Sequence, residues 1–246
     1  MITSASNPRL KLIRKLESRR QREKLGLFVA EGEDLVDAAR AAGIEPADLL
    51  LAGEDVEPQL LAGVSTMAHP PRVIGVYRRG DLPPFEQRPV SLALWHVSDP
   101  GNVGTLIRTA DAFGAAIGLS AGCGDPTGPR ALRASAGAVF RVPLGRFDEP
   151  AGRRVALVAH TGRLLAELEP AERTVFVLGA EREGLPREVA AACDAVAAIP
   201  IAESAESLNV AVAGAIALYE ARRLPSTAAT TSAASSAAAG EAPAAP

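Results

Sequence analysis

Thr174-Val175-Phe176-Val177-Leu178-Gly179-Ala180-Glu181-Arg182-Glu183-Gly184, continued by LPREVAAACDAVAAIPIAESAESLNVAVAGAIALY through Tyr219, is the stretch whose reading decides the fold. Its opening run is apolar, β-branched and aromatic, then breaks at a glycine-rich loop, as a strand buried on both faces does. Pro186 sits where a helix opens. A second run, Val196 to Ile201, contains Pro200 and empties into Glu203-Ser204-Ala205-Glu206-Ser207. From Leu208 to Tyr219 the sequence is apolar almost all round, which predicts a helix covered by its own sheet or by another subunit. Two strand-to-loop transitions separated by a short helix make these loops the candidate active site.

Around this stretch the composition is that of a folded protein: 246 residues, 48% hydrophobic, ample for a buried core. The net charge of −3 gives no global attraction to nucleic acid, so a basic partner surface has to be local. It is local at the N-terminus. Residues 1–24 hold Arg9, Lys11, Arg14, Lys15, Arg19, Arg20, Arg22 and Lys24 against Glu17 and Glu23. Leu10, Ile13 and Leu16 fall at helical spacing, so one amphipathic helix starting near Asn7-Pro8 is predicted, with a basic stripe suited to nucleic-acid phosphates. A merely solvated helix face is the alternative. Cys123 and Cys193 are too few for a disulfide framework, and with His69, His96 and His160 they show no metal-ligand spacing. No apolar run approaches the ~18 residues of a membrane span, and a cytoplasmic protein is expected.

Strands and helices alternate over residues 1–80, which predicts a small α/β domain with strand candidates at Leu27-Ala30, Leu49-Leu51, Val64-Met67 and Val73-Val76. Residues 81–89 have the proline content of a linker. From Val90 to Arg223 a second domain is predicted: strands at Val90-Trp95, Ala116-Ser120 and Val155-Ala159 join those already read, in a parallel sheet covered on both faces. Ligands of such sheets sit at the carboxyl ends of the strands. After Arg223 the chain is Ala, Ser, Thr and Pro apart from Leu224, Gly240 and Glu241, and residues 224–246 read as a disordered tail.

The loops spell no dinucleotide fingerprint, no NTPase loop and no nucleophile elbow. They leave Asn102, Arg108, Glu181, Ser207 and Asn209, polar residues at odds with a core. Asn102, Ser207 and Asn209 could each cap a helix, whereas capping explains neither Arg108 nor Glu181.

Asn102-Val103-Gly104-Thr105-Leu106-Ile107-Arg108-Thr109-Ala110, Leu178 to Leu185, and Ile199-Pro200-Ile201 with Ser207-Leu208-Asn209-Val210 resemble, in order and spacing, the three signature motifs of the SpoU-type (TrmH-like) RNA ribose methyltransferases of the SPOUT superfamily. Residues 1–85 resemble the ribosomal-protein-like substrate-binding domain that precedes many of them. Arg182 departs from the small residue common in relatives.

The resemblance implies an α/β fold whose C-terminal parallel sheet is threaded into a deep trefoil knot, and a homodimer. It implies S-adenosylmethionine as cofactor, held by backbone groups of Leu178, Gly179, Ile199, Ile201 and Leu208, with Glu181, Gly184 and Asn209 completing the site. Arg108 would lie nearest the reacting ribose hydroxyl, as a cation holding the adjacent phosphate. Asn102 would orient Arg108 or the ribose, Ser207 and Asn209 would hydrogen-bond the nucleophile, and Glu181 would fix its loop or a partner contact. No metal is implied. The expected activity is 2′-O-methylation of RNA, ribosomal RNA first, with a tRNA ribose methyltransferase or a non-catalytic RNA-binding resistance or assembly factor as alternatives. Arg9, Lys11, Arg14, Arg19, Arg20 and Arg22 are the expected RNA contacts.

Overall fold

A computed structural model describes residues 1–169 and 171–223; the predicted tail lies outside the described residues. Asn7 caps the first helix by accepting from the Arg9 N–H at 2.9 Å, with Pro8 at its start. The basic segment forms two helices, α1 (Pro8–Lys15) and α2 (Arg19–Leu25), where one was predicted. The break has a local cause. Arg22 Nη1 donates to the Leu16 and Glu17 carbonyls at 2.8 and 2.7 Å, satisfying acceptors that a continuous helix would have used itself.

The chain continues through β1 (Leu27–Glu31), α3 (Glu33–Ala41), β2 (Asp48–Leu51), α4 (Pro58–Ala62) and β3 (Val73–Arg78). These strands form an antiparallel sheet of order β1-β3-β2, with Val29 opposite Val76 and Leu50 opposite Ile74. The predicted strand at Val64-Met67 is absent. There the Thr66 N–H and the Ser65 and Thr66 hydroxyls all donate to the Glu31 carboxylate, so this segment wraps an acceptor instead of pairing in a ladder.

Residues 82–89 form no helix or strand but are tied down: Leu82 packs against the core, and the Gln87 side-chain oxygen accepts from the Ala151 N–H at 2.8 Å. Then follow β4 (Val90–Leu94), α5 (Pro100–Phe113), β5 (Ala116–Leu119), α6 (Pro129–Ser135), β6 (Leu144–Arg146), β7 (Arg153–Val158), β8 (Arg163–Leu164), β9 (Thr174–Leu178), α7 (Arg187–Ala191), β10 (Ala195–Ala198) and α8 (Val210–Arg223). The seven strands are parallel, in the order β6-β5-β4-β9-β7-β10-β8. Sequence periodicity missed β6 and β8, which are three and two residues long and present no buried run. Gly214 lets α8 settle on the sheet, since a Cβ there would run into Leu106 and lie 3.2 Å from Leu178.

The two sheets share a core. The rings of Phe28 and Tyr77 from the first sheet and Phe140 from the second segment are fully buried, with centroids 5.5 to 6.1 Å apart. Arg22 forms a buried ion pair with Asp125, Nε to Oδ2 at 2.8 Å. Burial works against the Asp125 charge, but donors from Thr127 and the Arg79 and Arg22 cations outweigh it and hold the carboxyl below the ordinary aspartate range.

Candidate active site

Three loops meet at the carboxyl ends of β4, β9 and β10. Asp99 caps α5 by accepting from the Asn102 N–H at 3.0 Å, which sets the Asn102 side chain at the first turn. After β9, Ala180 and Gly184 exchange backbone hydrogen bonds at 3.1 and 3.0 Å, making a hairpin with Glu181, Arg182 and Glu183 at its tip. Gly184 closes the hairpin at φ 66°. A side chain on Gly179 would collide with the Gly184 and Leu185 backbone, so this turn requires glycine twice.

The hairpin delivers Glu181 to the start of α5. Its carboxylate accepts from the Ser98 N–H (3.2 Å), the Ser98 hydroxyl (3.4 Å), the Asp99 N–H (3.1 Å) and Asn102 Nδ2 (3.0 Å). Desolvation opposes its charge; the donors, Asn102 foremost and then backbone N–H groups including those of Asp99 and Ser98, outweigh it and hold the carboxyl below the ordinary glutamate range. Asn209 Nδ2 in turn donates to Asn102 Oδ1 at 3.1 Å, while Asn209 Oδ1 caps α8 by accepting from Ala211 and Val212. Glu181, Asn102 and Asn209 thus form one chain across all three motif loops. Asn209 is both a helix cap and a member of the site.

Arg108 stands apart from that chain. It lies six residues along α5 from Asn102, about 9 Å by helical rise, and is exposed with no carboxylate partner among the described residues. The Ser207 hydroxyl is likewise exposed, and the structure joins it to none of the other predicted residues. His160 Nε2 donates to the Glu206 carbonyl at 2.9 Å and so steadies the loop beside Ser207; nothing in the sequence marked it. Leu178 is a core residue whose carbonyl already accepts from the Trp95 N–H at 2.8 Å. Ile199 and Ile201 are half-buried and Leu208 is exposed, bordering a loop in which Ala205 N–H to Ala202 C=O is the one backbone pairing between residues 202 and 208 among the described residues.

The predicted RNA contacts divide. Lys11, Arg14 and Arg20 are exposed with no carboxylate partner among the described residues. Arg9 is held by Asp48 and the Leu49 carbonyl, and Arg19 by Glu23 and the Cys123 carbonyl. For Arg22 the expectation is corrected: with 4% exposure and an internal counter-ion it cannot reach a phosphate. The sequence also gave no sign that Arg130 pairs with the cap residue Asp99, at 3.0 Å, beside the site.

No three His, Cys, Asp or Glu side chains among the described residues cluster as metal ligands, and no helix is long and apolar enough to cross a membrane. A cleft of about 520 Å³ opens at the opposite end of the sheet, lined by Arg88, Phe113, Arg153, Leu168 and Leu218, with no residue of the three motifs in its wall.

A seven-stranded parallel sheet thus carries one polar cluster at its carboxyl edge and shares a core with a small antiparallel sheet. Residues 89–219 match the SpoU rRNA Methylase family, and residues 7–78 match the MRM3-like substrate binding domain. The chain belongs to the SpoU rRNA methylase family. It is 33% identical to an uncharacterized tRNA/rRNA methyltransferase of Synechocystis sp., over 90% of this chain and 93% of that one. It is 31% identical to the 23S rRNA (guanosine(2553)-2′-O)-methyltransferase RlmP of Bacillus subtilis, over 90% and 98%. Among solved structures, the AdoMet-bound rRNA methyltransferase from Sinorhizobium meliloti superposes with a TM-score of 0.82 at 32% identity, covering 90% of this chain and 97% of that one.

Proposed function

We propose that this protein is an S-adenosylmethionine-dependent 2′-O-methyltransferase of 23S ribosomal RNA, working in the cytoplasm as a homodimer with its C-terminal segment knotted. The observation that carries this reading is the Glu181–Asn102–Asn209 chain, which gathers the three motif loops into one site.

The residues present fit the cofactor. Between Glu203 and Leu208 the backbone donors and acceptors are largely unpaired among the described residues, and Ile199, Ile201 and Leu208 flank them. A planar heteroaromatic edge and a polar amino-acid moiety need that combination of backbone groups and apolar cover. S-adenosylmethionine, when bound, supplies an electrophilic methyl group.

The chain's own task is to align a ribose hydroxyl and to manage its proton and the charge that develops. Alignment accounts for up to ~7–11 kcal/mol in well-oriented reactions. The uncommitted Arg108 is suited to grip a phosphate and to stabilise a developing alkoxide. Asn102 and Asn209 are fixed by each other and by Glu181, so their amides act as preorganised donors and acceptors. The Ser207 hydroxyl is free to meet the substrate.

The dimer reading rests on α8. Val212 and Tyr219 are 48% and 57% exposed and lie with Ala215 and Ile216 at helical spacing on one apolar stripe. Incubating the protein with labelled S-adenosylmethionine and 23S ribosomal RNA, then mapping the modified nucleotide, tests the proposal. Label at a ribose 2′-oxygen is expected, and RNA that remains unlabelled would refute it.

A further inference from the structure

Asp99 makes three contacts at the head of α5. Its Oδ1 accepts from the Asn102 N–H at 3.0 Å, its own N–H donates to Glu181 at 3.1 Å, and its Oδ2 pairs with Arg130 Nη1 at 3.0 Å. The first two lead to residues that join the motif loops. The third comes from α6, outside all three motifs. With one oxygen held by the helix cap and the other by a cation, the carboxylate keeps one orientation.

The space where the two groups meet is clear. A Cβ on Gly101 would stand 2.8 Å from Asp99 Oδ1 and 3.4 and 3.5 Å from Nε and Nη2 of Arg130, so a side chain there would press on the cap carboxylate and lie against the guanidinium. Arg130 also arrives from a fixed helix. At Gly104, two residues past Asn102, α5 and α6 come so close that a Cβ would collide with the Ala131 carbonyl and the Ala134 side chain. The same α6 touches the small domain, where Arg133 Nη1 donates to the Thr66 hydroxyl at 3.0 Å. A helix seated against both α5 and the small domain presents Arg130 to Asp99 with little freedom to drift.

Stability does not account for the pair. With 65% of the Arg130 side chain and 34% of the Asp99 side chain exposed, it adds little to the folding free energy. Orientation is another matter, because a small misplacement of groups at a reacting centre is costly in rate even when the fold is untouched.

We propose that Arg130 is a positioning residue for methyl transfer, acting through Asp99 to hold Asn102 and Glu181 in their working orientation. This rests on the methyltransferase reading and adds to that site a residue that none of the three motifs contains.

The test uses the full chain, labelled S-adenosylmethionine and 23S ribosomal RNA transcribed in vitro. Arg130→Gln should lower kcat by roughly tenfold, while KM for the RNA, S-adenosylmethionine affinity and melting temperature stay close to those of the parent. Arg130→Lys should recover most of kcat, because a point charge suffices for an exposed ion pair. Asp99→Asn keeps an acceptor for the Asn102 N–H but removes the charge, so it should be slow as well, and adding Arg130→Gln to it should slow it no further. A kcat for Arg130→Gln within about twofold of the parent overturns the positioning role. So does a loss that appears in KM for the RNA instead, a melting temperature that falls together with kcat, or additive losses in the double variant.

One readout needs no turnover. Hydrogen exchange at the Asn102 amide, whose N–H Asp99 accepts, should quicken in Arg130→Gln while the middle of α5 exchanges as in the parent. Equal exchange in the two proteins overturns the role. If the parent methylates no RNA and this exchange still quickens, the methyltransferase reading fails and the hold of Arg130 on Asp99 and Asn102 stands.

Discussion

Arg22 and Asp125, more than a hundred positions apart in the chain, meet at 2.8 Å with about 5% of either side chain exposed. One belongs to the basic N-terminal segment and the other to the loop ahead of α6, so the pair ties the small sheet to the large one.

Removing either partner leaves a buried charge without its counter-ion. Arg22→Ala or Asp125→Ala should cost about 3–5 kcal/mol in chemical denaturation, whereas Arg22→Met with Asp125→Leu should recover part of that loss. A fragment beginning at Gln87 would uncover Phe140 as well, and should unfold at lower denaturant than the full chain or aggregate.

Glu181 gives the site a predictable response to acid. Its carboxyl lies below the ordinary value of 4.5, so its contribution to stability is complete above that value and is lost as pH falls through the lower folded value. The difference in melting temperature between the parent and Glu181→Gln should therefore be steady near neutrality and shrink below about pH 4.5. A difference that persists unchanged in acid would show that the carboxylate contributes through packing alone.

Arg108→Ala should lower methyl transfer by at least about a hundredfold, the scale for losing a group that stabilises developing charge. S-adenosylmethionine affinity measured by calorimetry should stay as in the parent, because Arg108 is outside the Glu181–Asn102–Asn209 chain. Arg108→Lys should recover little, since an ammonium does not reproduce the guanidinium fork.

Ala215→Arg, placed in the apolar stripe between Val212 and Tyr219, should shift the protein towards monomer in sedimentation and reduce turnover in parallel. A parent that already sediments as a monomer at micromolar concentration would remove the dimer and any site shared across it.

Much of this was legible in the sequence for physical reasons. Apolar runs such as Val90–Leu94 and Thr174–Leu178 are buried on both faces, and such strands announce themselves without an alternation to decode. The three motif loops were legible as loops because their glycines and amides mark turns. The side chains that join distant segments were not. Arg22 read as one more cation of a basic stripe, since nothing local shows that a carboxylate waits at Asp125. His96 read only as one of five residues without metal-ligand spacing, because a positive φ at a non-glycine residue leaves no trace in composition.

The strand order carries a consequence for how the protein comes into being. β9 lies between β4 and β7, with Val90 beside Thr174 and Val155 beside Phe176. Until residue 178 has been synthesised, the β6-β5-β4 group and β7 have no common partner. A nascent chain therefore carries two open, apolar parallel edges through the whole interval between them, the kind of edge that pairs with neighbours when left uncovered. Closure is a long-range event late in synthesis, and pairings so distant in sequence form slowly. Chains that stall before β9 should be the ones that aggregate, and the yield of native protein should depend on how quickly Thr174–Leu178 is delivered.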